Sequence, residues 1–421
     1  MRASLVGTGY VGIVTGACFA HVGHDVIMVD TVREKVDAVN SGKSPIYEAG
    51  LEAMIGEEVR RGRLKGTTNL SEAVEFSDIT FICVGTPALP DGSQNLSYVE
   101  TVARQIGEAI GSKDSYHTVV VKSTVAPGTT LGLVKPVLEK ASGMEAGDDF
   151  GLGMNPEFLK EGDAVRDFME PDRVVYGTVG EKARNHLREI YAGFKSQKLE
   201  TDCTTAEMIK YASNSMLATR VALIDEIGNI CKELGIDVRD VASGAGMDRR
   251  IGPHFLHAGI GFGGSCFRKD VSALAWKGRE LGVETKILSA VISQNDAQPL
   301  RLLKLLEAKR KLKGSRIGVL GLSFKPGTDD IRDAPSLIVV KSLLQEGAAV
   351  VAYDPMAEEN FSRVFPQIEY RKSASEVIRE CDAVMILTEW QEFADRTLYG
   401  DKPVYDGRGV TRTSNYTGVC W

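Results

Sequence analysis

At 421 residues the chain has the length of two or three domains, and 43% hydrophobic with 25% charged residues is a globular composition, which excludes disordered and fibrous classes. Fifty Lys and Arg against 57 Asp and Glu leave a net charge of −7, which argues against a general nucleic-acid binder while leaving room for a local basic pocket around an anion. Seven cysteines, odd in number, widely spaced and without a CxxC pair, exclude a disulfide framework and point to a reducing compartment.

The chain opens on a short apolar run at 2–6 and passes at once into Gly7-Thr8-Gly9-Tyr10-Val11-Gly12, which begins a helical pattern over 11–22. A second apolar run at 25–29 ends beside Asp30. Each glycine has a job in a dinucleotide site: Gly7 allows the tight turn, Gly9 admits a pyrophosphate, and Gly12 lets helix and strand pack closely. The helix N-terminus offers N–H donors to the phosphates, and Asp30 would accept from the ribose hydroxyls and repel a 2′-phosphate. NAD is therefore the expected cofactor, although Arg33 and Lys35 lie close enough to qualify the acid's preference.

Apolar runs at 79–84 and 118–122 with an intervening helical pattern at 98–110 continue the βαβ alternation of a parallel sheet. Thr86 and Thr124 follow these strands, where loops line the cofactor crevice. The longest apolar runs, such as 79–84, are strand-sized, and nothing at the start resembles a secretion signal; no membrane segment and a cytoplasmic location are expected. The His21/His24 and His254/His257 pairs have no cysteine or acid cluster at zinc-site spacing, so no metal is expected.

The middle third reads as helical, over 204–234, 271–281 and 286–308. Residues 316–321 then restart the strand-then-glycine pattern, with further strands at 349–353 and 383–387, and Leu320-Gly321 … Tyr353-Asp354 loosely echoes Val6-Gly7 … Val29-Asp30. The expectation is an α/β protein: two Rossmann-like doubly wound domains, 1–195 and 309–421, joined by a long central helix and a helical middle domain, 196–308.

Between the first and second helical stretches lies Gly261-Phe262-Gly263-Gly264-Ser265-Cys266-Phe267-Arg268-Lys269-Asp270. Glycines let backbone approach a ligand, a nearby lysine favours a thiolate, and a carboxylate can handle protons. Read by itself, Cys266 is either a nucleophile or a small buried hydrophobe.

Eight motifs in order settle the resemblance: GTGYVG at 7–12, VGTP at 84–87, STVAPGT at 123–129, NPEFLKEG at 155–162, MIKYASN at 208–214, RRIGPHF at 249–255, GFGGSCFRKD at 261–270 and GLSFKPGTDDIRDAP at 321–335. The sequence resembles the nucleotide-sugar dehydrogenases, most closely those acting on UDP-glucose. That resemblance implies a four-electron oxidation of a sugar C6 alcohol to a carboxylate, using two NAD and a cysteine thioester. It implies Cys266 as nucleophile, Lys210 and Asn214 (i, i+4 on one helical face) as stabilisers of a developing oxyanion, and Asp270 as an acid acting on water. Glu157, assisted by Thr124, would handle protons in the hydrolytic step. Phe158, Leu159, Lys160, Phe255, Gly261, Phe324, Lys325 and Arg408 match substrate contacts, and Arg250 matches an arginine reaching a neighbouring subunit, so a homodimer or larger homo-oligomer is implied. Glu161, Lys269 and Arg332 match residues near the cofactor, beside Tyr10, Val11, Lys35 and Thr86. Arg268 departs from the pattern, standing where relatives often carry Pro or another uncharged residue, and is expected to face solvent. The alternatives are a GDP-mannose dehydrogenase of the same chemistry, a two-electron hydroxyacid dehydrogenase of the 6-phosphogluconate type, and a binding protein that has lost its chemistry.

Overall fold

The computed structural model describes residues 1–421, which divide into two compact units, Met1–Ala212 and Ser213–Trp421. In the first unit eight strands, β1 (Arg2–Val6), β2 (Asp25–Val29), β3 (Leu64–Thr67), β4 (Ile79–Ile82), β5 (Thr118–Val121), β6 (Gly151–Met154), β7 (Arg173–Val179) and β8 (Gln197–Thr201), form one sheet. Their order is β3-β2-β1-β4-β5-β6-β7-β8, and every neighbouring pair is parallel except β6 with β7. The sheet is covered on both faces, which is why its central strands read as unbroken apolar runs. Along β2, Val26 and Met28 enter one core cluster while Ile27 and Val29 enter the other. The order reverses between β1 and β4, the place where open α/β sheets hold ligands beyond their carboxyl ends.

The second unit carries an all-parallel six-stranded sheet of β9 (Arg316–Leu320), β10 (Ala349–Tyr353), β11 (Glu369–Tyr370), β12 (Ala383–Ile386), β13 (Val404–Asp406) and β14 (Tyr416–Gly418), ordered β11-β10-β9-β12-β13-β14. The expected echo between the two sheets is structural. Gly7 and Gly321 both take positive φ, +105° and +91°, and their amides donate to Val29 and Tyr353 at 2.7 and 2.9 Å. At the end of each second strand a carboxylate, Asp30 or Asp354, accepts from the turn after the first strand.

Three helices dominate the centre of the sequence: Cys203–Leu234, Phe267–Glu280 and Lys286–Glu307. The second begins at 267, four residues before the sequence pattern places it. The apolar periodicity starts at Val271, but the first turn is polar and is held by Asp270 N–H donating to the Cys266 carbonyl at 2.9 Å. The sheet of the first unit also extends beyond the expected strands. The β6 sequence, Gly-Leu-Gly-Met, lacks the β-branched signal, and the edge strand β8 is largely polar. No helix is long and apolar enough to cross a membrane.

Candidate active site

In the first unit the glycine turn behaves as three separate constraints. A Cβ on Gly12 would stand 1.9 Å from the Gly7 carbonyl oxygen, and one on Gly7 would meet the Cys83 carbonyl at 2.9 Å, whereas a Cβ on Gly9 meets nothing within 4 Å. Gly9 therefore borders open space at the start of helix Tyr10–His21, whose first turn (Tyr10, Val11) has no side-chain cap to use its N–H donors. That geometry fits a dinucleotide pyrophosphate. Gly9→Ala is thus expected to melt like the wild type while weakening NAD binding at least about tenfold, and Gly12→Ala is expected to lower the melting temperature. Calorimetry with NAD titration checks both.

Asp30 lies at the end of β2. Its carboxylate accepts from the Thr8 amide (2.8 Å) and hydroxyl (2.5 Å) and from the Val32 amide (3.0 Å), and the Lys35 ammonium stands 4.0 Å away. Partial burial raises its proton affinity, but these donors and Lys35 outweigh that and hold it below the ordinary aspartate range. Thr86 donates to the Thr124 carbonyl at 2.7 Å, which fixes the two strand-end loops against each other.

The segment after β6 carries Glu157, Phe158, Leu159, Lys160 and Glu161. Glu157 is buried and its carboxylate lies 3.0 Å from the Lys210 ammonium, itself buried. Burial would raise the Glu157 pKa, but Lys210, the Leu159 amide (2.7 Å) and Lys122 overcome it, so the carboxylate stays ionised. The Phe158 ring is capped by Arg173 at 3.9 Å and faces the Lys210 ammonium at 5.4 Å. Lys160 is pinned to Asp167 through its amide (3.0 Å) and ammonium (3.2 Å).

Three residues that shape this region were missed in the sequence. Glu48 binds the Tyr10 hydroxyl and accepts from Gly162 and Ala164 amides at 2.7 and 2.8 Å, tying the 155–163 segment to the glycine helix. Gln94 donates to the Thr124 carbonyl (3.1 Å) and accepts from the Ala126 amide (2.9 Å) and the Tyr211 hydroxyl (2.8 Å). Lys122 is fully buried against Asn155 and Tyr191. His21 has acids near it after all: one ligand-type atom from each of His21, Glu57 and Glu58 falls within 4.8 Å of the others. These acids lie 36 and 37 residues away in sequence, and Arg61 pairs with both.

In the second unit Cys266 stands at the N-terminus of helix Phe267–Glu280 and is the one cysteine of seven that is not buried. A helix N-terminus stabilises negative charge on sulfur. The Ser265 hydroxyl lies 3.5 Å from its Sγ. One turn into the helix, Asp270 is buried, with the Asn214 amide donating to one carboxylate oxygen at 2.6 Å and the Lys269 ammonium bound to the other. Asn214 and Lys210 sit one turn apart on helix Cys203–Leu234.

The glycines before Cys266 serve close packing inside this unit. A Cβ on Gly263 would meet the Asp333 carbonyl at 2.7 Å, and one on Gly264 (φ +86°) the Phe324 ring at 2.8 Å. On that side Phe324 and the 332–334 loop pack directly on the two glycines, with the Gly264 amide donating to the Arg332 carbonyl at 2.8 Å. Arg268 does not simply face solvent either. Its guanidinium forks onto Asp296, joining the cysteine helix to helix Lys286–Glu307. Arg408 donates to the Leu387 and Gly261 carbonyls, each at 3.0 Å, tying the loop after β13 to the cysteine loop. Lys325 lies over the Phe324 ring at 5.7 Å, and the Phe255 ring (φ +60°) packs against Phe267. Arg332 and Arg250 are exposed and pair with Asp330 and Asp248.

Beneath the loop, buried Asp225 accepts from the Gly259 amide at 2.7 Å through one oxygen, while the other has no partner. Burial pushes its pKa up to about 7, only partly offset by that amide and by Arg408. The folded state then holds a proton that the unfolded state gives up near pH 4, so stability falls as pH rises from about 4 to 7 and stays lower above that. Asp225→Asn is expected to raise the melting temperature by several degrees at pH 8 and hardly at pH 4, read by thermal melts across that range.

Residues 1–195 match the NAD binding domain, 204–297 the central domain and 318–413 the UDP binding domain of the UDP-glucose/GDP-mannose dehydrogenase family. A UDP-glucose 6-dehydrogenase of Haloferax volcanii is 43% identical over 419 residues, covering 97% of both chains. A GDP-mannose 6-dehydrogenase of Pseudomonas aeruginosa is 39% identical and covers 100% of both. Among solved structures, a UDP-glucose dehydrogenase from the hyperthermophilic archaeon Pyrobaculum islandicum superposes with a TM-score of 0.96 at 41% identity, over 100% of this chain and 98% of that one.

Proposed function

Because this chain belongs to the UDP-glucose/GDP-mannose dehydrogenase family, we propose that it oxidises the C6 alcohol of UDP-glucose to the carboxylate of UDP-glucuronate, as a cytoplasmic homodimer with two NAD reduced per sugar. The observation that carries this reading is Cys266, the one cysteine outside the core, at a helix N-terminus with buried Asp270 a turn behind it. A two-electron hydroxyacid dehydrogenase has no use for that thiol.

Bound NAD supplies the hydride acceptor at both oxidation levels. The chain's own residues do the rest. An aldehyde gives up hydride poorly, so Cys266 adds to C6 through Sγ and makes a thiohemiacetal, from which hydride departs to leave a thioester. Lys210 and Asn214 meet the oxygen that gains negative charge, an arrangement worth about 3 kcal/mol per donor in a dry site. Water then adds to C6, the C–S bond breaks and sulfur leaves as thiolate. Asp270 orients that water, and Glu157 with Thr124 handles its proton. Overall one water is consumed, and two hydrides and three protons leave.

The nucleotide of the sugar is assigned to the C-terminal domain, 309–421, and NAD to 1–195, with 196–308 between them. Met216, Leu223 and Ile230 recur every seven residues on helix Cys203–Leu234 and are all more than half exposed, a stripe that a second copy of the chain would cover. Arg250, 90% exposed and paired with Asp248 two residues before it, would reach such a neighbour by exchanging that partner.

Stoichiometry is the direct test. Two NADH and one uronate per UDP-glucose are expected, and one NADH per sugar would overturn the reading. GDP-mannose offered separately should give no NADH; its preferential oxidation would move this chain to the other branch of the family.

A further inference from the structure

We propose that Lys122, which follows β5, is a positioning residue: its buried ammonium anchors Asn155 and, two residues on, keeps Glu157 set as the ionised partner of Lys210. The inference goes beyond the reaction proposed above and rests on it only for its kinetic readout.

The ammonium donates to Asn155 Oδ1 at 2.9 Å and to the Tyr191 hydroxyl at 3.3 Å, and lies 5.7 Å from the Phe168 ring centre. Asn155 is held from three further sides. Tyr191 donates to the same Oδ1 at 2.6 Å, Asn155 Nδ2 donates to the Val175 carbonyl at 2.8 Å, and its backbone amide donates to the Val121 carbonyl at 2.9 Å. The start of the Asn155–Lys160 segment is therefore locked, and Glu157 and Lys122 line one cavity of about 290 Å³.

No carboxylate touches the ammonium; its contacts are one amide, one phenol and one ring face. A buried cation without a direct counter-ion is costly, and packing alone would be met better by methionine. The titratable groups facing it are Cys83 after β4, Tyr191 after helix Glu181–Ile190, Glu157, and Lys210 on the long helix. Burial raises the pKa of both the Cys83 thiol and the Tyr191 phenol, which leaves Glu157 as the anion that balances it. Glu157 thus answers to two cations: Lys210 in contact, and Lys122 through the field and through Asn155. Burial first, offset by Cys83 and then Glu157 and assisted by Lys210, brings the Lys122 amine down to about 8, so its charge can change within the working range of an enzyme.

The test uses full-length protein labelled with [δ-13C]glutamate, the Glu157 carboxyl signal being assigned by its loss in Glu157→Gln. In the wild type that signal should show a second inflection near pH 8, as Lys122 loses its proton. In Lys122→Met the inflection should vanish and the carboxyl's own titration should rise by about one pH unit. Kinetically, Lys122→Met should lower kcat about tenfold with the sugar-nucleotide KM within about twofold, and should cost nothing further in a Glu157→Gln background. A wild-type signal without the second inflection overturns the proposal, and this holds even if Lys122→Met fails to fold. So does an unmoved Glu157 titration in the variant, or an equal kcat loss in both backgrounds. If the inflection is present but UDP-glucose yields no NADH, the reaction assignment fails and the Lys122–Glu157 coupling stands.

Discussion

Replacing Cys266 by serine is expected to lower uronate formation by at least about four orders of magnitude, while NAD affinity and melting temperature stay near wild type. The size follows from the chemistry. Without a thiol adduct the aldehyde offers no good hydride donor, and a serine alkoxide would have to form where a thiolate is far easier to reach. The fold should be indifferent, because Cys266 is the cysteine outside the core and its role in the helix is through its backbone carbonyl. The measurement is carboxylate product by mass spectrometry, beside NADH absorbance. A serine variant that makes uronate at the wild-type rate would remove the thioester from the mechanism.

The second large effect is expected at Lys210. Lys210→Met should lower kcat by about 10²- to 10³-fold, as for loss of one oxyanion donor. It should also destabilise the protein, because the Glu157 carboxylate is left buried without the ammonium 3.0 Å away. Removing one member of such a pair costs about 3–5 kcal/mol, a drop on the order of 10 °C in melting temperature for a unit of this size. The double variant Lys210→Met/Glu157→Gln separates the two effects. It should recover most of the stability and none of the activity, since the neutral amide no longer needs a cation but the donor to substrate and the Glu157 carboxylate that handles the proton are both gone. Recovery of activity in the double variant would show that Lys210 serves the fold alone.

How much of this was legible in the sequence depends on how far apart the cooperating residues lie. Gly7, Gly9, Gly12 and Asp30 could be read because strand, turn, helix and acid fall within 30 residues and each has one physical reason to be there. Lys210 and Asn214 came from the MIKYASN motif of the resemblance; helical spacing adds that they share one face, which a solvated surface would also show. The start of the cysteine helix was placed late, since periodicity is blind to a polar first turn. Glu48, Gln94 and Lys122 had no local signal. Glu48 meets Gly162 across 114 positions and Gln94 meets Tyr211 across 117, so only the folded chain brings them together. The packing of Gly263 and Gly264 was illegible for the same reason, because Phe324 and Asp333, which crowd them, come some 60 to 70 residues later. The eight motifs identified the family without revealing which residues hold the motif residues in place.

The uneven burial of the cysteines has a practical consequence. Burial pushes the thiols of Cys18, Cys83, Cys203 and Cys420 up to about 12 and raises that of Cys381, while Cys231 is enclosed in the core of the second unit. Toward a water-borne electrophile at neutral pH, the native protein therefore presents a single addressable sulfur, Cys266. One equivalent of such a reagent per chain would count competent sites in a preparation, and uptake beyond one would report the fraction of chains that have come unfolded.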